Sequence, residues 1–382
     1  MLEKYRSKLD SIVIDEIELM RFDVDVVRHY SWGNWYSRQI GFIRIASGSV
    51  SGWGENRITS NDKNVDVKKW GECFAELKGM PLSAALSLVA EKLSPWGNLR
   101  VEMAEMALID LAGKKLGVSA AELLDMPGEK PVPGLYCVLE DDAAKAGAAA
   151  AAVKAMGYSS HIKVKLFGKP ELDKAVITAV RKEMGRDTYI VGDVNCGYRM
   201  KKSTDPVDDI APSLMALHAV GLNACEDPAD MDHEQWVALQ KKVGALDLIP
   251  DHIMRPAVKA IHTVIPGMGR IYNIHPGCMG SVIAAVALAK KVRSFGAKLM
   301  IGDDSLIGPA LSSWQQVAVG LDAEWVEALE KEGESEVFLD CVRSQATEKQ
   351  GGTMAIKASR PGFGLDIDTV ALRKKALVST IV

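Results

Sequence analysis

The chain predicts an α/β fold: a closed barrel of parallel strands with a smaller α+β unit in front of it. Three observations carry this. From about residue 131 onward, short apolar runs alternate with helical stretches in eight successive units, and such a series argues for a barrel over an open doubly wound sheet. Acids recur at one register of those units, Asp193 in YIVGDVN, Glu226 in NACEDP and Asp251 in LDLIPDH, 25–33 residues apart, the length of one strand-plus-helix unit. No G-x-G-x-x-G follows the first strand, which removes the main sign of a dinucleotide-binding sheet. The 382 residues leave room for a barrel of roughly 250 residues and a second domain.

Taken in order, residues 11–57 alternate apolar and polar side chains between turn signals, as an antiparallel hairpin or meander does. Residues 65–127 read as helices, the clearest being VEMAEMALIDLAGKKLG, with apolar residues at helical spacing and glycine after two lysines. Residues 1–130 are therefore expected to form an α+β capping domain. EKPVPGLYCV marks the boundary with two prolines, and the barrel is expected over 131–345. Its strands should end near Val138, Lys165, Asp193, Glu226, Pro250, His275, Ile301 and Glu327, with helices at 142–156, 170–184, 206–219, 280–296 and 309–320. The last segment, 346–382, carries strand and turn signals and should return to the front domain.

Composition narrows the function. Apolar content of 48% and charged content of 25% are those of a soluble globular protein, and a net charge of −4 gives no case for nucleic acid or an anionic membrane as partner. No apolar run approaches the roughly 18–20 residues of a membrane span. MLEKYRSKLD lacks the apolar core of a signal peptide, and six scattered cysteines without a C-x-x-C pair read as reduced thiols. The expected location is cytoplasmic.

In a parallel barrel the active site lies at the C-terminal strand ends. The polar residues expected there are Lys163, Lys165, Asp193, Asn195, Glu226, Asp227, Asp251, His252, His275, Asp303, Asp304 and Glu327. Three carboxylates converging on one mouth repel one another, and a divalent cation is the simple remedy. Oxygen-only ligands favour Mg²⁺, with Mn²⁺ close behind. In HIKVKLF the two lysines are two apart and share one strand face. Elsewhere such a pair is most often a solvated edge; inside a barrel, beside acids, it is a candidate base. A lysine facing both a cation and a second lysine has its charged form disfavoured, which brings its pKa toward that of a working base.

Motifs over most of the length give these residues a context. GWGE at 52–55, IDLAGKKLGVSAAELL at 109–124, KVK at 163–165, GDVN at 192–195, EDP at 226–228, HPGCMGS at 275–281 and PGFGLDID at 361–368 occur in an order and spacing that resemble the enolase superfamily, in its mandelate racemase and muconate lactonizing branch. The resemblance implies a capping domain over a modified TIM barrel, (β/α)₇β, and Mg²⁺ held by Asp193, Glu226 and Asp251. It implies removal of the proton α to a carboxylate through a metal-stabilised enediolate, with Lys165 as base and Lys163 near the substrate carboxylate; sites of this superfamily use a Lys or His base with Mg²⁺. A small carboxylate is then the partner, and by analogy with other barrels a homo-oligomer is expected.

The chain departs from both subgroups at the sixth and seventh strands. His275 stands where lactonizing relatives place a lysine and racemases an aspartate, and MIGDDS places Asp303 and Asp304 after strand seven where racemases carry histidine. One reading makes His275 and Asp303 or Asp304 a dyad with the strands' roles exchanged, the acid orienting the imidazole. Another has His275 only hydrogen-bonding the substrate, with the aspartates binding a hydroxyl or ammonium. His252 reads as structural and Cys278 as packing. Glu327 is either a carboxyl kept protonated by burial beside the substrate or a plain surface acid. Loops near 20–36 and 53–62 are expected as the lid. The first gathers His29, Tyr30, Trp32, Trp35 and Tyr36, either against the substrate or as core between domains.

The expected activity is racemisation or epimerisation, with Lys165 and His275 on opposite faces. The alternative is dehydration of a hydroxy acid or sugar acid. A metal-dependent aldolase is a weaker rival. A non-catalytic scaffold is disfavoured, because buried charges cost desolvation energy without return.

Overall fold

The computed structural model describes residues 2–382. Eight short parallel strands form the barrel: Tyr136–Val138, His161–Lys165, Tyr189–Asp193, Ala224–Glu226, Asp247–Ile249, Ile271–Ile274, Lys298–Ile301 and Trp325–Val326. The first five pair in sequence and so do the last three. Two backbone bonds close the ring, Asn273 N to Pro250 O at 3.1 Å and Leu135 N to Val326 O at 2.8 Å. Most strand ends fall within a residue of the expected positions. Helices follow at Ala143–Ala155, Pro170–Met184, Ala211–Ala219, His233–Val243, Ala257–Thr263, Val282–Ser294 and Pro309–Gly320. Two of these, His233–Val243 and Ala257–Thr263, were missing from the predicted set because their apolar stripes are short.

Strand alternation separates two environments. On His161–Lys165, Ile162 and Val164 belong to the large core shared with the helices, while His161, Lys163 and Lys165 take the other face. The barrel interior is plugged by a separate apolar cluster of Leu135, Val191, Ala224, Ile249, Ile271, Met300 and Trp325. His161 packs on Tyr189 and Trp325, with ring centroids 5.8 and 5.1 Å away. The plug separates the polar side chains at the N-terminal strand ends, such as Tyr189 with Asp247 and Lys298 with Glu324, from those at the C-terminal ends.

The front domain is a sheet of Glu16–Val24, Arg38–Ser47 and Val50–Ser60, antiparallel and joined at its other edge by Val378–Ile381. The long helix Asn98–Leu116 lies on it and ends at Gly117, whose φ of +72° terminates the helix. Within the C-terminal segment, the hairpin Thr347–Gln350 and Thr353–Ile356 pairs with Val132–Pro133 at the start of the barrel, while Arg373 bonds Glu18 of the cap sheet and the last strand pairs with that sheet's edge.

Three buried glutamates dock the cap onto the barrel. Glu55 accepts from the backbone N–H of Ile307, Gly308 and Ala310, Glu102 from Gly277 and Gly280, and Glu105 from Ile283 and the Ser281 hydroxyl. Glu55 and Glu105 thereby meet the N-terminal ends of Pro309–Gly320 and Val282–Ser294, where unpaired N–H groups favour negative charge. This docking brings the front hairpin Arg28–Tyr30 and Gly33–Trp35 to the open end of the barrel.

Candidate active site

At that open end lies a cavity of about 480 Å³. It is lined from the barrel by Lys165, Asn195, Asp227, His252, Arg255, His275, Cys278, Asp303, Asp304 and Glu327, and from the cap by Arg28, Tyr30, Trp32, Trp35 and Arg57. Lys163 lies deeper, fully buried. Its Nζ is 3.1 Å from Asp193, 2.8 Å from Glu226 and 2.9 Å from Glu327. Lys165 Nζ donates to Asp193 Oδ2 at 2.5 Å and to Asn195 Oδ1 at 3.1 Å, and lies 5.2 Å from the Tyr30 ring centre. The left-handed backbone of Asn195, φ +47°, turns the chain back after the third strand. It lets Asn195 N donate to Asp193 Oδ1 at 3.0 Å.

Around the ring, Asp251 accepts both Nε and Nη2 of Arg255, one turn further on, and His275 Nδ1 lies 3.0 Å from Arg255 Nη2 and 3.2 Å from Asp251. Asn273 donates to Glu226 Oε1 at 3.0 Å. Asp227 does not face the acids; it accepts the backbone N–H groups of Asp251 and His252 and so fixes the end of the fifth strand. His252 is exposed, at the cavity wall.

The charges order the site. Burial weighs most heavily against the Lys165 ammonium, but Asp193 and the other groups around it together outweigh that and the push from Lys163, and the pKa moves up. The sequence expectation of a lowered value reckoned with a cation on these acids, which would compete with the lysine for Asp193. Lys163 is likewise raised, against burial, by Asp193, Glu226 and Glu327. Asp193 is held below the usual carboxylate range by the two lysines in spite of its burial. Glu327 is pushed up by burial, in line with a buried carboxyl rather than a surface acid. His275 falls to about 3, through burial first and Arg255 second.

Two expectations need correction. His275 makes no hydrogen bond with Asp303 or Asp304: Asp303 pairs with Lys331 at 2.7 Å, Asp304 with Arg57 at 3.0 Å, and Arg255 and Asp251 hold the imidazole instead. His29 does not reach the cavity. Hairpin alternation sends Arg28 and Tyr30 to the cavity and leaves His29 to bond Asn34 at 2.9 Å. Cys278 lies on the cavity wall, its sulfur within 4.8 Å of ligand atoms of His275 and Asp304. The aromatics of the hairpin do gather there, Tyr30 stacked on Trp32 at 4.8 Å and edge-on to Trp35 at 5.1 Å.

The acids fit a hard cation. Asp193 and Glu226 pair directly across neighbouring strands. Glu226, Asp251 and His275 offer ligand atoms within 4.8 Å of one another; Asp193, the third expected ligand, is not in that group but turned to Lys163 and Lys165, and Asp251 is paired with Arg255. Glu226 Oε2 is buried and makes no well-aligned hydrogen bond; the Lys163 ammonium, 2.8 Å away, is its counter-charge. Its remaining lone pair would suit a cation as a further positive partner.

Sequence reasoning missed Arg28, Arg57 and Arg255. Arg255 had a signal in its i,i+4 spacing from Asp251, and Arg57 in sharing a strand face with Glu55 of GWGE. Arg28 had none beyond its place in the lid segment.

Comparison with known proteins agrees with this geometry. The family model for enolase C-terminal domain-like proteins matches residues 145–371, more than half of the chain. A chloromuconate cycloisomerase of Cupriavidus pinatubonensis is 26% identical over 238 residues, 60% of this chain and 61% of that protein. A D-Ala-D/L-Ala epimerase of Cytophaga hutchinsonii is 28% identical over 207 residues, 52% of this chain and 53% of the relative. The match thus spans between half and two thirds of either relative. Among solved structures, a dipeptide epimerase from Cytophaga hutchinsonii, complexed with Mg and D-Ala-L-Val, superimposes with a TM-score of 0.76 at 19% identity, covering 97% of this chain and all of that one. No helix among the described residues is long and apolar enough to cross a membrane. The chain belongs to the enolase C-terminal domain-like family, in the mandelate racemase and muconate lactonizing branch of the enolase superfamily.

Proposed function

We propose that the protein is a Mg²⁺-dependent enzyme that removes the proton α to the carboxylate of a small substrate and returns one, as a racemase or epimerase. The observation that carries this is the placing of Lys165 and His275 on the second and sixth of eight strands, on opposite walls of one closed cavity. A substrate between them has a nitrogen facing each side of its α-carbon, as inversion requires. The relatives' names, an epimerase and a cycloisomerase, support the class of chemistry. Asp193, Glu226 and Asp251 would hold the cation, which when bound would offset the negative charge growing on the substrate carboxylate.

The chain's own groups have separate tasks. Lys165 Nζ takes the α-proton as the neutral amine, a form that a cation held by Asp193 would favour by weakening the contact that raises the lysine, and Asn195 fixes its position. Lys163 sets positive charge beneath the substrate carboxylate, with Glu327 as a buried hydrogen-bond partner. The Tyr30, Trp32 and Trp35 cluster closes the mouth and keeps water from the carbanionic carbon.

One contact favours a second reading. Arg255 donates to His275 Nδ1, so neutral His275 carries its proton on Nε2 and offers a hydrogen bond there. Such a donor suits β-elimination of water from a hydroxy acid: Lys165 takes the α-proton, the C–O bond breaks as the double bond forms, His275 hydrogen-bonds the departing oxygen, and the proton taken up by Lys165 completes the water. One experiment separates the two. Dipeptides, N-acyl amino acids, hydroxy acids and sugar acids are incubated with the protein and Mg²⁺ in D₂O, with Lys165→Ala as control. Deuterium at the α-carbon of both stereoisomers supports the first reading, and release of a keto acid the second. Exchange that persists in Lys165→Ala for both stereoisomers refutes both readings.

A further inference from the structure

The turn after the sixth strand brings three kinds of ligand atom to one point of the cavity wall. His275 and Cys278 are the ends of the stretch HPGC, closed by Cys278 N donating to His275 O at 3.2 Å. Pro276 stands second in it and Gly277 third, with φ of +81°, as a type II turn requires. The ends of such a turn lie close together, and two ligands separated by two residues are a recurring spacing of tetrahedral zinc sites. Asp304, after the seventh strand, completes the set, its ligand atom lying with those of His275 and Cys278 inside 4.8 Å. Arg255 and Asp251 both face His275 Nδ1, which leaves Nε2 to a ligand. Arg57 binds Asp304 through Oδ2, which leaves Oδ1. The turn is held in place from the cap: Glu102 accepts the N–H of Gly277 and of Gly280, and Asn56 donates to Gly277 O at 3.1 Å. Bonds of about 2.0–2.3 Å put the ligand atoms of a tetrahedral zinc site roughly 3.5 Å apart, so no pair here need close by more than about 1.3 Å. Rotation of side chains supplies that.

We propose that His275, Cys278 and Asp304 form a second metal site, for a borderline or soft divalent cation such as Zn²⁺, beside the oxygen ligands proposed for Mg²⁺. Nitrogen and sulfur ligands select such ions over Mg²⁺. On binding, the imidazole carries its proton on Nδ1, toward Asp251 at 3.2 Å, and its Nε2 lone pair takes the ion; a carboxylate behind a metal-bound histidine is the usual support. The Cys278 thiol passes its proton to solvent, and the thiolate and carboxylate together balance the charge of the ion. All three residues line the cavity, so a fourth position is open to water. The ion takes the nitrogen that His275 would otherwise turn to a substrate. The site needs only these three side chains and stands apart from the proposed reaction.

The test needs no turnover. Cd²⁺, which takes the same ligands and gives a thiolate-to-metal absorption in the ultraviolet, is titrated into the full chain in excess Mg²⁺ and followed by absorbance and calorimetry. One equivalent should bind with a Kd of about 1 μM or less and develop the band. Zn²⁺ should remove the band by competition, whereas Mg²⁺ in about 1000-fold excess should not. Cys278→Ser should abolish the band and weaken binding about 100-fold, and Asp304→Asn should keep the band and weaken binding about tenfold. Circular dichroism checks that each variant is folded, and Cys278→Ala, which should behave as Cys278→Ser does, stands in if the serine is not tolerated. A band that survives loss of the Cys278 thiol would place the ion on another of the six cysteines and overturn the site. An affinity unchanged in Asp304→Asn, displacement by Mg²⁺, or no band up to about 100 μM Cd²⁺ would each do the same.

Discussion

Asp110 is the buried tie between three parts of the chain, and its removal has a cost that can be worked out. It stands in IDLAGKK on the helix Asn98–Leu116 and is wholly buried. Its Oδ1 accepts from Phe363 N at 2.8 Å, and its Oδ2 from Trp53 N at 3.0 Å and Lys114 Nζ at 2.7 Å. Asp110→Ala leaves two backbone N–H groups buried without an acceptor, at about 1–3 kcal/mol each, and strands a largely buried lysine. The release of a buried carboxylate offsets part of this, since burial raises its pKa. We expect a net loss of about 3–5 kcal/mol, a large share of the roughly 5–15 kcal/mol available to a folded domain. Asp110→Asn keeps one oxygen and should lose about half as much. Urea unfolding followed by tryptophan fluorescence reads both, with unchanged m-values showing that stability alone has moved. An alanine variant within about 1 kcal/mol of the parent would refute the reasoning, because both N–H groups would then have found other acceptors.

Three further outcomes are expected. His275→Gln should lower inversion of an α-stereocentre by about 10²-fold or more, while deuterium exchange with retention continues through Lys165; equal loss of both would argue against opposed faces. Burial raises Glu55, Glu102 and Glu105 to about 7, 8 and 7. Groups raised in the folded state give their full stabilisation below the ordinary carboxyl value and lose it as pH climbs through the folded value. Unfolding free energy should therefore decline between about pH 5 and 8.5, and a Glu55→Gln, Glu102→Gln, Glu105→Gln variant should flatten that slope; an unaltered slope excludes the assignment. Gly52→Ala would put a Cβ into Ala107 O and Leu111 N of the helix backbone. The helix has no side-chain rotamer by which to give way, so thermal denaturation should show a loss above about 3 kcal/mol, and a normal melting curve would contradict the packing described.

The barrel was legible because its signals are local. Each strand is a short apolar run ended by a polar residue, and side-chain alternation alone puts Lys163 and Lys165 on one face. The lid was legible only as a segment. Whether His29 or Arg28 faces the substrate depends on hairpin register, and a shift of one residue exchanges the two faces. Arg57 and Arg255 escaped notice because their spacing from Glu55 and Asp251 does not reveal the partners that fold up to them from other elements. Their partners, Asp304 and His275, lie 247 and 20 residues away.

Sequence by itself determined the order of strands and helices, the ring of acids and the lysine pair at the strand ends, since these follow from periodicity and from residue type at a fixed register. Tertiary structure alone decided which charges meet. It set Asp193 against the lysines and gave His275 to Arg255 rather than to the neighbouring aspartates. The reason is physical: electrostatic interaction depends on separations of a few ångströms and on burial, and both are set by how the cap docks on the barrel, which no local stretch of chain encodes.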